Sequence, residues 1–405
     1  MTDQRTFVIA GGGLAGAKAA ETLRDEGFAG RVVLVSGEDL LPYERPPLSK
    51  ALLLGTDTPE SARVHDEAWY ADHNIDLRRG VTVEAIHRER REVTLAGGDA
   101  VAYEKLLIAT GASPGSLPIP GVGLGGVLRL RTLPDSDRIA AVLRPETQLV
   151  IIGAGWIGLE VAAAARTHGA AVTVVETAAL PLQRVLGDRI AGVFAELHRS
   201  HGVEFRFGTH VTEIGGGPDV THVLLADGER IDADAVLIAV GAHPNVALAE
   251  AAGLAVDNGI LVDARLCTSD PDIFAAGDVA NVDHPVLGAR IRVEHWANAL
   301  HGGPAAARAM LGLEVSYDRM PYFFTDQYDL GMEYVGWVPP GATPEVVIRG
   351  DLRSGEYLAF WTDQGRVLAG MNVNIWDVNE QIEALVRDRA VIPADRLADP
   401  AVPLR

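Results

Sequence analysis

The chain has 405 residues, 48% of them hydrophobic, and a formal net charge of −20; it is long enough for two or three domains with packed cores. So acidic a chain disfavours nucleic acid as a partner, because a phosphate backbone is held by clustered basic residues. The one cysteine, Cys267, excludes an internal disulfide, a cysteine zinc site and an iron–sulfur cluster held by this chain alone, and reads as a small buried hydrophobe.

The first predicted element is the strand Thr6-Phe7-Val8-Ile9-Ala10. It starts so early that no signal peptide is expected ahead of it. No uncharged apolar run reaches membrane-spanning length, since the best candidate, 156–165, is broken by Glu160. The expectation is a soluble cytoplasmic protein without membrane association. Gly11, Gly13 and Gly16 follow the strand, then a small-residue helix from Ala17 to Glu26, a second strand Arg31-Val32-Val33-Leu34-Val35, and Glu38. In a G-x-G-x-x-G turn the first glycine permits the bend, the second admits a pyrophosphate and the third lets helix and strand pack closely. The helix then aims free N–H groups and its positive dipole end at the phosphates. An acid roughly 20 residues further on is placed for a ribose hydroxyl.

A return strand ends in Leu106-Leu107-Ile108-Ala109-Thr110-Gly111. The same phrase then recurs. Leu149–Ile152 leads into Gly153, Gly155 and Gly158, a helix from Leu159 to His168, the strand Ala171–Val175 and Glu176, and the return Val236-Leu237-Ile238-Ala239-Val240-Gly241. What repeats is a whole nucleotide-binding domain. Two such domains imply two dinucleotides and electron traffic between them. Glu176 favours NADH over NADPH, since a carboxylate repels a 2′-phosphate and accepts from a 2′-hydroxyl. Arg184, close by, is expected on the ribose or at the dipole end of a helix.

The second domain reads as inserted into the first. After the breaker Ala242-His243-Pro244-Asn245 the chain reaches Ile273-Phe274-Ala275-Ala276-Gly277-Asp278. Asp278 can accept from a polyol, cap a helix, or do both. A helix over Ala297–Leu311 follows, with a kink expected at Gly302-Gly303-Pro304. From about 320 aromatics crowd and strands such as Glu345–Arg349 and Leu358–Trp361 read as antiparallel, with turns at Pro339-Pro340-Gly341 and Gln364-Gly365. The tail after 392 is expected to be irregular. His198 and His201 have helical spacing and read as a solvated face, so no metal is expected. The fold class is α/β: two Rossmann-like nucleotide-binding domains, the first (1–112 and 244–319) split by the second (113–243), and an α+β domain over 320–405.

Taken together, Tyr43-Glu44-Arg45-Pro46-Pro47-Leu48-Ser49-Lys50, the paired glycine turns, Gly277-Asp278 and Glu294-His295-Trp296-Ala297-Asn298-Ala299 resemble the FAD-dependent NADH:ferredoxin reductases, the family that includes the reductases of aromatic-ring dioxygenases. The resemblance spans nearly the whole chain. It implies the glutathione-reductase-type fold, FAD in the split domain, NADH in the inserted one, and a [2Fe–2S] ferredoxin that feeds a monooxygenase or ring-hydroxylating dioxygenase. It places Gly11, Gly13, Leu14, Ala15 and Gly16 on the FAD pyrophosphate and Glu38 on the adenosine ribose. Arg45 and Lys50 lie along the cofactor, Val83 meets the adenine, Arg131 and Asp278 reach its middle, and Ala109, Thr110, Gly111 and Gly277 are also expected to bind it. Glu294, His295 and Trp296 open a helix whose N-terminus faces the flavin. Gly153, Gly155, Ile157, Gly158, Glu176, Arg184 and Gly241 are expected on NADH.

Three residues are expected to serve the hydride step. Glu160, on the first turn of the second nucleotide helix, is expensive there unless paired, and the family suggests Lys50 as its partner, beside the reacting edges of both cofactors. Trp156 covers the empty nicotinamide pocket, or packs under the sheet. Arg290, Arg292, Arg308 and Arg319 are candidates to dock an acidic ferredoxin in a transient complex, with the enzyme a monomer or weak homodimer. The chain departs from the family where some members carry Pro-Trp-Phe-Trp; it has Pro321-Tyr322-Phe323-Phe324, so no tryptophan relays electrons there. An NADH oxidase or disulfide reductase on this fold needs a cysteine near the flavin, and 42–50 has none. A sensor similar to apoptosis-inducing factor is the remaining alternative.

Overall fold

The structure, a computed structural model, describes residues 3–404. The chain divides into two compact units. One comprises Met1–Glu44, Glu60–Ser113 and His243–Pro321; the other comprises Arg45–Pro59, Pro114–Ala242 and Tyr322–Arg405.

The first unit is built on a five-stranded sheet in the order Ile273–Ala275, Lys105–Ile108, Thr6–Ala10, Arg31–Val35, Ile75–Arg78, all neighbours parallel. A parallel sheet is covered on both faces, so its strands are continuous apolar runs. Phe7, Val8, Ile9, Val32, Val33 and Leu34 are all fully buried. The helix Leu14–Asp25 connects Thr6–Ala10 to Arg31–Val35, and a second helix, Trp296–Met310, lies against it. The two approach so closely that a Cβ on Gly303 would sit 2.1 Å from the carbonyl oxygen of Ala15 and 3.1 Å from the nitrogen of Ala19. The second helix spans Gly302-Gly303-Pro304 as one element with Pro304 inside it, and the close approach at Gly303 gives that glycine a packing role.

The second unit repeats the plan: Val203–Phe207, Ala171–Glu176, Gln148–Ile152, Ala235–Ile238, Val127–Leu128, again five strands and all parallel. Even the register agrees. Ala10 faces Val35 as Ile152 faces Val175. The helix Trp156–Thr167 crosses as its counterpart does, and a longer helix, Gln183–Ser200, is interrupted at Gly187 (φ 74°). The remainder of this unit is a five-stranded antiparallel sheet, in the order Tyr322–Gln327, Leu330–Gly336, Arg366–Val373, Glu356–Asp363, Glu345–Asp351. Gln364 (φ 48°) and Gly365 (φ 77°) make the two-residue left-handed turn that a hairpin's twist demands. The helix Asn379–Arg387 covers this sheet, and a short helix, Ala394–Ala398, replaces the irregular tail expected after 392. Among the described residues no helix is long and apolar enough to cross a membrane.

The helix contact at Gly303 is testable. Gly303→Ala should destabilise the protein by about 1–3 kcal/mol through overpacking. Gly192→Ala, in the helix Gln183–Ser200 where an added Cβ meets nothing within 4 Å, should stabilise it by about 0.5–1 kcal/mol. Denaturant unfolding of the two variants checks both signs.

Candidate functional site

The two glycine turns are the same object. A Cβ on Gly11 would lie 2.1 Å from the carbonyl oxygen of Ala109, and one on Gly16 would lie 2.0 Å from that of Gly11. The counterparts are Gly153 against Ala239 at 2.4 Å and Gly158 against Gly153 at 2.3 Å. Backbone fills both outer positions. The middle glycines, Gly13 and Gly155, meet nothing within 4 Å and are the N-caps of their helices, without side-chain caps. Open space before a free helix N-terminus fits a pyrophosphate, and both turns pass that test.

In the first unit, Gly277 (φ 75°) brings its Cα face against Ala15, at 3.2 Å for an added Cβ. Gly277 thus meets the first glycine turn. Asp278 is buried inside a short 3₁₀ turn, Gly277–Val279, and is not a helix cap. Asn245 holds the return loop by donating to the carbonyl of Thr110 at 2.8 Å and, from its backbone, to that of Gly111 at 2.9 Å. Glu38 accepts from the Tyr43 hydroxyl at 2.6 Å. Val83 begins a half-buried edge strand. Trp296 begins its helix with His295 as N-cap and Glu294 just before, and its indole N–H donates to Glu44 at 3.0 Å. Glu44, quoted above only as part of a motif, is a residue that sequence reasoning missed.

Three of the proposed docking arginines have internal partners. Arg292, its side chain 12% exposed, donates to Asn258 and to the Asp278 carbonyl and pairs with Glu294. Arg290 reaches the carbonyls of Val262 and Asn281, and Arg308 pairs with Glu26 at 2.6 Å. Arg319 is exposed. Cys267 is half-buried rather than buried, with its thiol pushed up chiefly by desolvation.

In the second unit the expected ion pair is present. Lys50 Nζ lies 2.8 Å from Glu160 Oε1, with side-chain exposures of 15% and 4%. A helix that starts at Trp156 puts Glu160 on its second turn, not its first. Two hydroxyls complete the carboxylate: Ser49 donates to Oε2 at 2.5 Å and Thr325 to Oε1 at 2.6 Å. The Lys50 ammonium also lies 5.4 Å from the centre of the Phe324 ring, within cation–π range. Trp156 is half-buried, 4.5 Å from Phe323 and 5.6 Å edge-on from Phe194 between ring centres. Arg45 donates to the Arg131 carbonyl, so these two expected residues do meet.

Glu176 ends its strand and accepts from the N–H groups of Ala154 and Ala178, both at 2.8 Å. It braces the second glycine turn itself. Register shows that its counterpart is Ser36, not Glu38; similar spacing hid that the two acids are not equivalent. Arg184 is exposed in the first turn of the helix Gln183–Ser200. Around this turn Ile157, Val185 and Val240 are exposed by 46%, 48% and 37%. They belong to segments tied to the turn, since Leu182 donates to the Ala154 carbonyl and Ala239 touches Gly153. Gly241 (φ 91°) follows directly. Exposed apolar side chains at an open phosphate turn fit the planar part of a dinucleotide. Val185 and Val240 carried no signal in sequence.

His198 is the clearest correction. It is fully buried, not solvated, and its Nε2 lies 2.8 Å from Gln327 Oε1. Burial, opposed by that hydrogen bond, pushes its pKa down from 6.5 to about 4. His201 is exposed and stacks on Tyr328 at 3.7 Å.

Two parallel-sheet units, each with an open phosphate turn, define an oxidoreductase that works with two dinucleotides. The chain belongs to the pyridine nucleotide-disulphide oxidoreductase family, which matches residues 5–303, and carries a reductase C-terminal domain over 322–405. It is 39% identical to putidaredoxin reductase of Pseudomonas putida, covering 100% of this chain and 97% of that protein. It is 38% identical to the ferredoxin–NAD(+) reductase component of the anthranilate 1,2-dioxygenase system of Burkholderia cepacia, covering 98% of each. The covalent putidaredoxin reductase–putidaredoxin complex superimposes with a TM-score of 0.95 at 37% identity, over 99% of this chain and 97% of that one. The α/β fold class and the flavoprotein reductase assignment read from the sequence both hold.

Two outcomes follow from the buried charges. Glu160→Ala strands a mostly buried ammonium and should cost about 3 kcal/mol of stability, most of it recovered in the double variant Lys50→Met/Glu160→Leu; urea unfolding of the three proteins checks this. His198 titrates at about 4 folded and 6.5 unfolded, so the unfolded chain binds its proton first. Its contribution is complete above pH 6.5 and is lost as pH falls toward 4. The Tm of His198→Gln should therefore fall less steeply over that window than that of the unmodified protein.

Proposed function

We propose that this chain is an FAD-dependent NADH:ferredoxin reductase whose partner is a [2Fe–2S] ferredoxin serving an oxygenase, a monooxygenase or a ring-hydroxylating dioxygenase. One observation carries the reading: the open-glycine turn occurs twice, and the chain holds a buried lysine–glutamate pair but no cysteine in the segment before Lys50. When bound, FAD accepts a hydride from NADH and releases the electrons singly. Overall, one NADH and two oxidised ferredoxins become NAD⁺, two reduced ferredoxins and one proton. The relatives named above, a putidaredoxin reductase and a dioxygenase reductase component, support both the electron donor and the class of acceptor.

The residues divide the work. Gly11 to Gly16 offer backbone N–H groups to the FAD pyrophosphate; Glu38, Val83 and Asp278 hold its sugar, base and polyol portions; Ala109 to Gly111, Arg45, Arg131 and the helix start at Glu294 to Trp296 line the rest. Gly153 to Gly158, Glu176, Arg184 and Gly241 hold NADH. Lys50 faces the reacting edge and is oriented by Glu160. Trp156 excludes water from the nicotinamide position until NADH displaces it. The FAD domain is assigned to 1–112 and 244–319, the NADH domain to 113–243 and the C-terminal domain to 320–405. The enzyme works in the cytoplasm as a monomer or weak dimer.

The test is NADH-driven reduction of cytochrome c with and without [2Fe–2S] ferredoxins. The expected rate is low alone and rises with ferredoxin to saturation; a rate indifferent to every ferredoxin would contradict the reading. With the Glu176 carboxylate in place, kcat/KM for NADPH should fall about 100-fold below that for NADH, or about 2.7 kcal/mol.

A further inference from the structure

A line of buried polar side chains runs from the Lys50–Glu160 pair into the C-terminal sheet and on to the helix Gln183–Ser200. Thr325 Oγ1 donates to Glu160 Oε1 at 2.6 Å, Gln327 Nε2 donates to Thr325 Oγ1 at 3.2 Å, and His198 Nε2 lies 2.8 Å from Gln327 Oε1. Thr325 and His198 are 0% exposed, Gln327 1% and Glu160 5%. Local geometry explains why the line can form. Four residues of helix and two residues of strand both advance about 6–7 Å. Trp156 and Glu160 on the helix thus sit over Phe323 and Thr325 on the strand, and Gln327, two residues on, meets His198.

The direction of each bond follows from its neighbour. A carboxylate only accepts, so Thr325 donates to it. The threonine oxygen is then free to accept from the Gln327 amide nitrogen, which turns the amide oxygen to His198. That oxygen requires the proton on Nε2. Every donor therefore points toward Glu160, and aligned donors strengthen one another. The imidazole is retained at a cost: its Nδ1 is buried without a hydrogen-bond partner, and an unpaired buried polar atom is unfavourable. Burial also keeps the ring neutral, with a pKa of about 4, so one donor and one tautomer persist through the neutral range.

We propose that Thr325, Gln327 and His198 are positioning residues for Lys50, acting through Glu160. The proposal rests on the reading above that Lys50 serves the hydride step. The donor chain fixes the carboxylate at one angle, and the carboxylate fixes the ammonium. The C-terminal sheet thereby governs a lysine far from it in sequence.

Lys50 can be read directly, since the chain has only three lysines, Lys18, Lys50 and Lys105. The experiment labels amines with acetic anhydride in the intact protein, with and without FAD, and scores each lysine by peptide mass spectrometry. It also follows anaerobic flavin reduction by NADH in stopped flow. The variants are Thr325→Val, Gln327→Met and, as the conservative case, Thr325→Ser. Loss of a hydrogen bond to a charged group is expected to raise Lys50 labelling about fivefold relative to Lys18 and Lys105 and to lower the limiting rate of flavin reduction about tenfold, with NADH affinity unchanged. Thr325→Ser should restore both to within about twofold. Unchanged Lys50 labelling in Thr325→Val and Gln327→Met would overturn the proposal, as would a serine variant no better than valine. Should Thr325→Val not fold, Gln327→Met decides on the same readouts. Lys50→Met and Glu160→Gln separate the two levels of the argument. If they reduce flavin at the unmodified rate, the role assigned to Lys50 fails, while the labelling result still judges the chain of donors.

Discussion

A glutamate 5% exposed in the second turn of a nucleotide-binding helix is the constraint on which the second unit turns. Removing a carboxylate from water costs several kcal/mol, and one counter-ion rarely repays that unless the remaining lone pairs are also satisfied. Here they are, by Lys50, Ser49 and Thr325. Together with Glu160 itself, those partners come from three separate stretches of chain. The pairing therefore fixes the segment carrying Ser49 and Lys50, the helix carrying Glu160 and the sheet carrying Thr325 to one another. A stability argument alone would favour an apolar cluster at this position. Retaining charge there makes sense if the ammonium is wanted in one place.

The glycine turns show the complementary principle, in which what matters is absence of a side chain. Outer glycines are demanded by backbone 2.0–2.4 Å from where a Cβ would sit. The middle ones are demanded by nothing inside the protein, so their openness points outward, to a ligand. Finding both kinds twice, in matching register, is stronger evidence for two phosphate sites than either sequence fingerprint. It also shows how the duplicated halves diverged. Where the first has Gly12 pressed against Ser36, the second has Ala154 held by Glu176.

Much of this was legible in the sequence because parallel strands and glycine turns are written in local patterns. Short apolar runs, small residues at helix starts and the spacing of Glu176 all depend on neighbours close in the chain. The Lys50–Glu160 pair was legible for a different reason: an acid inside an apolar helical segment demands a partner, and the family resemblance named Lys50 as that partner. What was hidden depends on distant segments. His198 looks like a surface residue by spacing, and only the strand carrying Gln327 buries it. Arg292 looks like a docking charge until Asn258 and Glu294 are seen to occupy it. Ser49 and Thr325 are small, common residues whose meaning appears only when Glu160 arrives between them. Glu44 was visible as part of a motif, but its bond to Trp296 spans the length of the first unit's sequence.

The central claim is that the two glycine turns serve different dinucleotides, bound at the same time. Gly158→Val tests it most directly, since the added side chain would strike the Gly153 carbonyl at 2.3 Å and close only the second turn. The purified variant should keep one FAD per chain and its yellow colour. NADH should no longer bleach that colour under anaerobic conditions, while dithionite still should. A variant that loses its flavin, or one that NADH bleaches as fast as the unmodified protein, would contradict the division of labour between the two turns.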